Sequence, residues 1–182
     1  EKCQRVAQRA FLRNLNRGEA YQTEAPSLWD VTFRTAVAQA ELEDRERPGA
    51  YHTLTFHTES DEDLHIATTR PELLPACVAL VAHPDDSRYK DLIGKKALVP
   101  LLNRSIPIIS DNYIDPEFGT GALKVTPAHD INDYEIGKKN DLEIISVIDN
   151  NGLINENGKL FVGQDRFYVR EQIIKDIKSI GQ

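Results

Sequence analysis

Apolar residues recur along the chain at two spacings, one typical of helices and one typical of short strands. Helical spacing predicts a first helix over residues 1–17, a short helix from Asp130 to about Lys139, and a last helix near the C-terminal end. Gly18 is a natural stop for the first helix. The apolar positions of the first helix are Val6, Ala7, Ala10, Phe11 and Leu15, and those of the last are Phe167, Val169, Ile173, Ile174, Ile177 and Ile180.

Short strands are predicted between these helices. Residues 51–57 alternate in polarity, as a half-buried strand does, whereas the continuous apolar run at 78–82 indicates a buried strand. Residues 21–31 favour extended chain. Further strands are predicted at 64–68, 98–102, 106–110, 122–126 and 144–148, with a tight turn around Asn103 and Arg104. This many short strands among scattered helices indicates a mixed α/β fold, built as a barrel or a strongly curled sheet.

Composition narrows the class of protein. The 182 residues are 40% hydrophobic and 28% charged, with a net charge of -7, which argues against a surface that is basic overall and grips nucleic acid by itself. No apolar run is long enough to predict a membrane span. Two cysteines, Cys3 and Cys77, offer neither a disulfide framework nor a metal-binding pair. The absence of methionine and the opening EKCQRV favour a fragment of a longer protein.

Candidate chemistry is concentrated in residues 118–134, FGTGALKVTPAHDINDY. Lys124 and Thr126 are two apart on a predicted strand and share a face, while Asp130 and Asp133 are three apart at a helix start and also share a face. A cation, a hydroxyl and two carboxylates can therefore converge where the strand gives way to the helix. The residues alone leave a structural interpretation open, in which Asp130 caps the helix and Lys124 faces solvent.

This stretch, taken with Ala67–Glu72 (ATTRPE) upstream, resembles the two signature segments of the editing domain of valyl-tRNA synthetases. The same inserted domain occurs in the isoleucyl and leucyl enzymes, and the similarity runs from about Leu28 to the C-terminus. The resemblance implies a β-barrel decorated with peripheral helices. It also implies that residues 1–40 form a boundary segment adjoining a catalytic domain that lies outside the chain, and that residues 41–182 form the editing domain.

The activity implied by this resemblance is hydrolysis of the ester of mischarged Thr-tRNA(Val). Threonine and valine are nearly isosteric, so an apolar synthetic pocket rejects threonine weakly and a second, polar site is needed. The resemblance implies that Asp133 holds the α-amino group, and that Lys124, Thr126 and Asp130 suit the threonine hydroxyl. Further expected site residues are Thr68, Thr69 and Arg70, beside the ester and the terminal adenosine, and Gly119, Gly121 and His129.

Partners and cofactors follow from the same resemblance. The expected partners are the 3′ end of tRNA(Val) and the rest of the synthetase, in the cytoplasm, with the fragment itself monomeric and no membrane involved. No cofactor or metal is expected for the editing domain, since ATP and magnesium serve only the catalytic domain. No phosphate-binding loop or class I signature is present, so amino-acid activation is not expected of this chain.

One departure from the family pattern and several alternatives stay open. The run Leu73–Cys77 (LLPAC) stands where the family commonly has Thr-Met-Leu-Gly-Asp, so an acidic residue is missing. An editing domain of a leucyl or isoleucyl enzyme is the nearest alternative. A metal-dependent hydrolase and a non-catalytic RNA-binding barrel are the others. The hydrolase would use His129, Asp130 and Asp133 with His83 or Asp85.

Overall fold

The computed structural model describes residues 2–46, 48–60 and 62–181, so residue 1 of the predicted first helix lies outside it. The α-helices of this part of the chain are α1 (Lys2–Asn16), α2 (Ile131–Lys139) and α3 (Arg166–Ser179). Its strands are β1 (Leu28–Asp30), β2 (Thr35–Val37), β3 (His52–His57), β4 (Asp63–Thr68), β5 (Ala79–Ala82), β6 (Lys96–Val99), β7 (Arg104–Ser110) and β8 (Ala122–Val125). Short 3₁₀ helices lie at Gln39–Glu41, Pro71–Ala76 and Glu156–Gly158.

Strand pairing gives one larger sheet and two hairpins. The sheet has the order β6-β7-β5-β8, in which β5 and β7 are parallel and the other neighbours antiparallel. β3 and β4 form an antiparallel hairpin whose register pairs His52 with Thr68, and β1 pairs with β2. Within the described residues the mixed α/β prediction is therefore confirmed.

Closure into a barrel is not found in the part of the chain that the structure describes. At one seam, the β3–β4 hairpin joins the sheet through a single bridge between Thr58 and Ala97 and a 3.1 Å bond from the Glu59 N–H to the Lys96 carbonyl. At the other seam, β4 lies against β8, but no ladder joins them. The sheet curls so that both of its edge strands lie against the hairpin, β6 beside β3 and β8 beside β4. The prediction of a barrel is nevertheless wrong as to its closure because, within the described residues, β8 forms a ladder with β5 alone.

The main core lies inside this curl. The inward face of the β3–β4 hairpin supplies Leu54, Phe56, Leu64 and Ile66, all at most 1% exposed. These residues pack with the apolar face of the sheet and with Val169, Ile173 and Ile177 of α3. The predicted last helix is thereby confirmed, and burial of its apolar face accounts for its position.

The other two helices also match their predictions. Asp130 precedes α2, and its side chain accepts the N–H groups of Asn132 and Asp133, which is the cap expected at this position. α1 ends before Gly18, whose φ of +73° terminates the helix. None of the described α1 residues is buried. No helix in the described residues is long and apolar enough to cross a membrane.

The prediction of a strand at 144–148 is wrong. The structure assigns no strand to this segment, which joins its neighbours by one bridge, between Ile148 and Ile154. One backbone bond runs from the Asn155 N–H to the Val147 carbonyl at 2.9 Å. Side chains bind further backbone groups: His129 Nε2 accepts the Val147 N–H at 3.0 Å, and the Ser146 carbonyl accepts the side-chain amides of Asn155 and Asn157. The pattern of apolar residues in the sequence cannot predict hydrogen bonds of this kind.

The β1–β2 hairpin falls in and after the stretch that was predicted only to be extended. Its turn is stabilised by Asp30, whose Oδ1 accepts the N–H groups of Thr32 and Phe33 at 2.7 and 2.9 Å. Trp29 fastens the hairpin to the rest of the fold by donating its indole N–H to the Asn150 carbonyl at 3.0 Å.

Candidate functional site

A cleft of about 310 Å³ opens between the end of β4 and the end of β8, at the seam where no ladder forms. The start of α2 closes one side of it. Seven of the predicted site residues contribute to its lining: Thr68, Thr69, Arg70, Lys124, Thr126, Asp130 and Asp133. The candidate site therefore occupies the gap in the curled sheet, and the two signature segments form its opposite walls.

Asp133 and Thr126 are joined by two hydrogen bonds at the cleft. Thr126 is 1% exposed and donates its N–H and its Oγ1–H to Asp133 Oδ2, at 2.8 and 3.0 Å. Burial raises the pKa of Asp133, while the two hydrogen bonds from Thr126 and the charge of Lys124 act in the opposite direction. The carboxylate is thus held in place by the preceding strand.

Asp130 serves the fold as well as lining the cleft. Its Oδ1 accepts the N–H of Asn132 at 2.8 Å and the N–H of Asp133 at 3.2 Å, which caps α2. The capping interpretation is therefore confirmed for Asp130. Its carboxylate is exposed at the cleft mouth, so capping does not exclude contact with a ligand.

Lys124 carries the positive charge on the β8 wall. Its side chain is half-buried, and burial lowers its pKa, while the nearby Asp133 carboxylate opposes that shift. A lysine in a cleft of this kind can donate hydrogen bonds to a hydroxyl or carbonyl oxygen. The solvent-facing alternative for Lys124 is not what the structure shows.

Thr68 and Arg70 shape the opposite wall. The Arg70 N–H donates to Thr68 Oγ1 at 3.1 Å, so this amide is engaged within the loop. The Arg70 guanidinium donates from Nη1 to the His129 carbonyl at 3.1 Å, which ties the β4 wall to the start of α2. Arg70 thereby joins the two signature segments directly.

Glu72, the last residue of the ATTRPE segment, is buried, and the sequence pattern predicts no role for it. It is 0% exposed and accepts two bonds from Arg170 of α3, from Nε at 2.9 Å and from Nη2 at 2.6 Å. The Arg70 Nε lies 3.8 Å from Glu72 Oε1. Local sequence gives no signal for this network, because Glu72 and Arg170 are 98 positions apart.

His129 does not line the cleft. Its Nε2 accepts the Val147 N–H at 3.0 Å, which orients the ring toward the segment after α2. Burial lowers the pKa of His129 to about 4, and the charges of Arg70 and Lys124 add to this effect. The ring is therefore neutral at pH 7 and acts as a hydrogen-bond acceptor.

The two glycines of the loop before β8 do not line the cleft either. A Cβ on Gly121 would lie 2.3 Å from Arg88 Nη2 and 2.9 Å from the Pro116 carbonyl, so this glycine leaves room for the Arg88 guanidinium. That guanidinium bonds to Asp86 at 2.6 Å and to the Pro116 carbonyl at 2.7 Å. At Gly119 an added Cβ would meet Ala67 at an ordinary 3.7 Å.

The departure at Leu73–Cys77 places apolar groups beneath the site. Leu73 lines the cleft, and Cys77 is buried. Burial raises the pKa of the Cys77 thiol to about 11, so the thiol is neutral at pH 7. The Leu73–Cys77 run therefore supplies no negative charge in place of the missing aspartate, and Asp133 is the carboxylate in the cleft lining whose charge acts on Lys124.

The metal-hydrolase alternative has no ligand cluster to support it. Within residues 2–46, 48–60 and 62–181, no group of three His, Cys, Asp or Glu side chains is placed to hold a metal ion. His83 and Asp85 are not part of the cleft lining. His83 instead accepts the Asp85 N–H at 3.1 Å through Nδ1.

Comparison with known proteins gives the same assignment as the two signature segments. Residues 85–173 match the family model described as leucyl-tRNA synthetase, editing domain. The valine--tRNA ligase of Thermobifida fusca is 62% identical over 133 residues, 73% of this chain and 15% of that protein. The valine--tRNA ligase of Lactococcus lactis is 42% identical over 183 residues, 100% of this chain and 21% of that protein.

A solved structure supports the fold. A crystal structure described as the ternary complex of Agrobacterium radiobacter K84 agnB2 LeuRS-tRNA-LeuAMS aligns with a TM-score of 0.57 at 21% identity, over 70% of this chain and 18% of that one. The chain thus belongs to the editing domains of the aminoacyl-tRNA synthetases. Within that class its sequence matches the corresponding part of valine--tRNA ligases, and it spans 15% to 21% of the length of the two relatives above.

Proposed function

We propose that the chain hydrolyses the ester bond between a wrongly attached threonine and tRNA(Val). The observation that carries this proposal is the cleft itself. It presents Lys124, Thr126, Asp130 and Asp133 on one wall and the end of β4 on the other. The rest of the lining is largely apolar, so these side chains place a few polar groups in an apolar cleft, and a second sieve for threonine needs such groups where a valine-binding pocket has none.

Selection of threonine over valine rests on the hydroxyl. Lys124 and Asp130 line the cleft beside Asp133 and offer a donor and an acceptor that a threonine hydroxyl can satisfy. A valine side chain would leave these groups desolvated and unpaired, at a cost of roughly 1–3 kcal/mol per group. Asp133 is the group we assign to the substrate's α-ammonium.

Hydrolysis is proposed to proceed by direct attack of water on the ester carbonyl carbon. The carbonyl carbon–ribose oxygen bond breaks, the ribose oxygen takes up a proton, and free threonine and uncharged tRNA leave. The cleft lining includes no Ser–His or Cys–His pair to act as an activated nucleophile, so a covalent acyl-enzyme is not part of the proposal. The chain's contribution is positioning and electrostatics, with the Thr68–Arg70 loop beside the ester.

We assign the backbone amides of that loop to assisting the attack. The Arg70 N–H already donates to Thr68 Oγ1 at 3.1 Å, which favours the Thr69 amide over the Arg70 amide for this role. The second group that we assign to this step is the neighbouring ribose hydroxyl of the substrate.

We propose the partners, the location and the domain boundaries of the chain on the same basis. The partners would be the 3′ end of tRNA(Val) and the rest of a valine--tRNA ligase, in the cytoplasm. Residues 1–40 would form the boundary with the catalytic domain and residues 41–182 the editing domain. The editing reaction would need no cofactor, and ATP and magnesium would serve the catalytic domain alone.

The test compares hydrolysis of Thr-tRNA(Val) and Val-tRNA(Val) by the chain and by its Asp133→Ala variant. We expect selective loss of the threonyl ester, abolished by Asp133→Ala. The control is Glu135→Ala, which removes an exposed carboxylate from the same helix outside this cleft and should leave the rate unchanged. If the chain alone is inactive, the same variants are measured in a full-length valine--tRNA ligase, and inactivity there contradicts the proposal.

The remaining alternative functions are distinguished by three measurements: which ester is hydrolysed, whether EDTA stops hydrolysis, and how tRNA binding depends on salt. The family model that matches is that of the leucyl enzymes, so a panel of threonyl, valyl and methionyl esters on matched tRNAs decides which amino acid is removed. Loss of hydrolysis in EDTA would favour the metal-dependent alternative. Strong tRNA binding that falls steeply with salt, without hydrolysis, would favour the RNA-binding alternative.

A further inference from the structure

We propose that Arg170, on α3, is a positioning residue for the editing reaction and acts on Arg70 through the buried carboxylate of Glu72. The inference rests on the proposed editing function. Arg170 lies in the last helix and does not line the cleft. Its influence on the cleft passes through two side chains.

The first step of this connection is the pair between Arg170 and Glu72. Both Glu72 oxygens are used: Oε2 accepts from Arg170 Nε at 2.9 Å and Oε1 from Arg170 Nη2 at 2.6 Å. The Glu72 side chain is completely buried. A buried carboxylate needs such a bidentate partner, since a lone buried charge is strongly unfavourable. This pairing also raises the pKa of Arg170.

The second step joins Glu72 to Arg70. The Arg70 Nε lies 3.8 Å from Glu72 Oε1, the same oxygen that Arg170 Nη2 contacts at 2.6 Å. That separation is too long for a hydrogen bond, so Arg70 is attracted to Glu72 without being captured by it. Arg70 instead donates Nη1 to the His129 carbonyl at 3.1 Å and lines the cleft.

Two guanidinium groups therefore share one buried carboxylate, and the nearer one determines where the other points. When Arg170 satisfies both Glu72 oxygens, Arg70 is left to face the cleft. Removal of Arg170 would leave Glu72 buried with Arg70 as the cation within reach. We expect Arg70 to turn onto Glu72, to lose the bond to the His129 carbonyl and to withdraw from the ester.

A purely structural role for Arg170 is the competing explanation. α3 is already fixed by Val169, Ile173 and Ile177, which are at most 2% exposed. The apolar face therefore holds the helix, and the ion pair does not have to. The two explanations differ in one respect: a positioning role requires Arg70, whereas a packing role does not.

The test is a double-mutant cycle in the valine--tRNA ligase that contains this chain, with Arg70→Met, Arg170→Met and the double variant. Arg170→Met is expected to lower kcat for Thr-tRNA(Val) by about 10- to 100-fold, as for a small misplacement of a positioning group, with little change in KM. The double variant is expected to be no slower than Arg70→Met alone. Multiplicative losses would overturn the proposal.

Arg166→Met is the matched control. Arg166 is on the same helix and stacks on the same ring, Phe167, with its guanidinium carbon 4.5 Å from the ring centroid against 5.2 Å for Arg170. It has no bond to Glu72 and should leave kcat unchanged. A loss as large as that of Arg170→Met would show that α3 packing is responsible and would overturn the proposal.

A second measurement does not depend on activity. In nitrogen-15 spectra of the chain, the Arg70 Nε–H signal should shift downfield in Arg170→Met as a bond to Glu72 forms; an unchanged signal would overturn the proposal. If Arg170→Met does not fold, Arg170→Lys replaces it in the double-mutant cycle. Lysine keeps a cation beside Glu72 but cannot form the two parallel hydrogen bonds of the guanidinium. An inactive wild-type ligase would contradict the proposed function instead, and the spectra would still decide the Arg170 connection.

Discussion

Asp133 and Thr126 are joined through one oxygen: Asp133 Oδ2 accepts both the Thr126 N–H at 2.8 Å and the Thr126 Oγ1–H at 3.0 Å. No bond to Oδ1 is made within the described residues. One carboxylate oxygen is thus used by the fold, and the other is left for the cleft. A carboxylate that holds a substrate ammonium in fixed geometry needs one oxygen fixed by the protein and the other free to bind the substrate.

Thr126→Val should weaken the reaction without unfolding the chain. Valine keeps the shape and the backbone N–H bond but removes the Oγ1 bond to Asp133, so the carboxylate is held at one point instead of two. We expect kcat/KM for Thr-tRNA(Val) to fall about tenfold and the free energy of unfolding to fall by about 1 kcal/mol. Thr126→Ser keeps the hydroxyl and is the control. Equal activity of the valine and serine variants would contradict this account.

Lys124→Met should reduce discrimination more than stability. Burial already lowers the pKa of Lys124, so replacing it with an apolar side chain removes a poorly solvated charge. We expect the ratio of threonyl to valyl ester hydrolysis to fall about tenfold, with a free energy of unfolding equal to or above that of the wild type. Lys138→Met removes an exposed lysine of α2 and should change neither quantity. An unchanged ratio in Lys124→Met would exclude Lys124 from selection.

Gly121→Ala should be costly because two effects combine. The φ of Gly121 is +77°, and an added Cβ would lie 2.9 Å from the Pro116 carbonyl and 2.3 Å from Arg88 Nη2. Gly94 has a φ of +89° but open space around it, so Gly94→Ala measures the backbone strain alone. We expect losses in the free energy of unfolding of about 1 kcal/mol for Gly94→Ala and about 3 kcal/mol for Gly121→Ala, measured by urea denaturation. Equal losses would mean that Arg88 moves aside freely.

The elements that sequence pattern predicted are those whose residues decide their structure locally. The cap of α2 by Asp130 and the turn at Gly18 depend on neighbours within a few positions, and both were predicted. The apolar faces of β3, β4 and α3 were predicted for the same reason. The residues of the cleft were predicted from the resemblance to editing domains, because the periodicity of apolar residues does not indicate which side chains form a site.

Features that depend on distant partners were not predictable in this way. The segment at 144–148 has the composition of a strand, but His129 takes the Val147 N–H across 18 positions. The pair between Glu72 and Arg170 joins residues 98 positions apart. Barrel closure depends on whether the strands at each edge of the sheet pair through their backbones. The alternation of polar and apolar residues is the same in a paired and an unpaired strand, so it cannot predict closure.

His129 should make the chain less stable in mild acid. Its folded pKa is about 4, below the ordinary value of 6.5, so between these values the unfolded chain binds a proton that the folded chain does not. The free energy of unfolding therefore falls as pH drops from 6.5 toward 4, by about 2 kcal/mol for a partly exposed ring.

The matched variant for this prediction is His129→Gln, which can still accept the Val147 N–H but does not titrate. The raised pKa of Asp133 gives the opposite slope, with stability lost as pH rises through its folded value, and that contribution is common to both proteins. Urea denaturation between pH 4 and 7 should therefore show a smaller dependence on pH in His129→Gln. Parallel curves would show that the ring titrates normally.

The two thiols should differ sharply in reactivity, and the difference reports on the environment of Lys124. Cys3 is exposed, whereas Cys77 is buried with a pKa of about 11. At pH 8 only about one Cys77 in a thousand would be a thiolate even if reagent could reach it. We expect Ellman's reagent to label one thiol quickly in the folded chain and the second only in denaturant. Cys3→Ser should abolish the fast phase.

A fast-reacting thiol in the folded Cys3→Ser variant would contradict the burial of Cys77. It would also change the electrostatics of the cleft. A thiolate at this position would supply the negative charge that the family's aspartate provides, and it would favour the protonated form of Lys124. A neutral thiol supplies no such charge, so Asp133 is left as the carboxylate that both balances Lys124 and holds the substrate ammonium. Cys77→Asp should then raise the pKa of Lys124 and weaken the dependence of hydrolysis on Asp133.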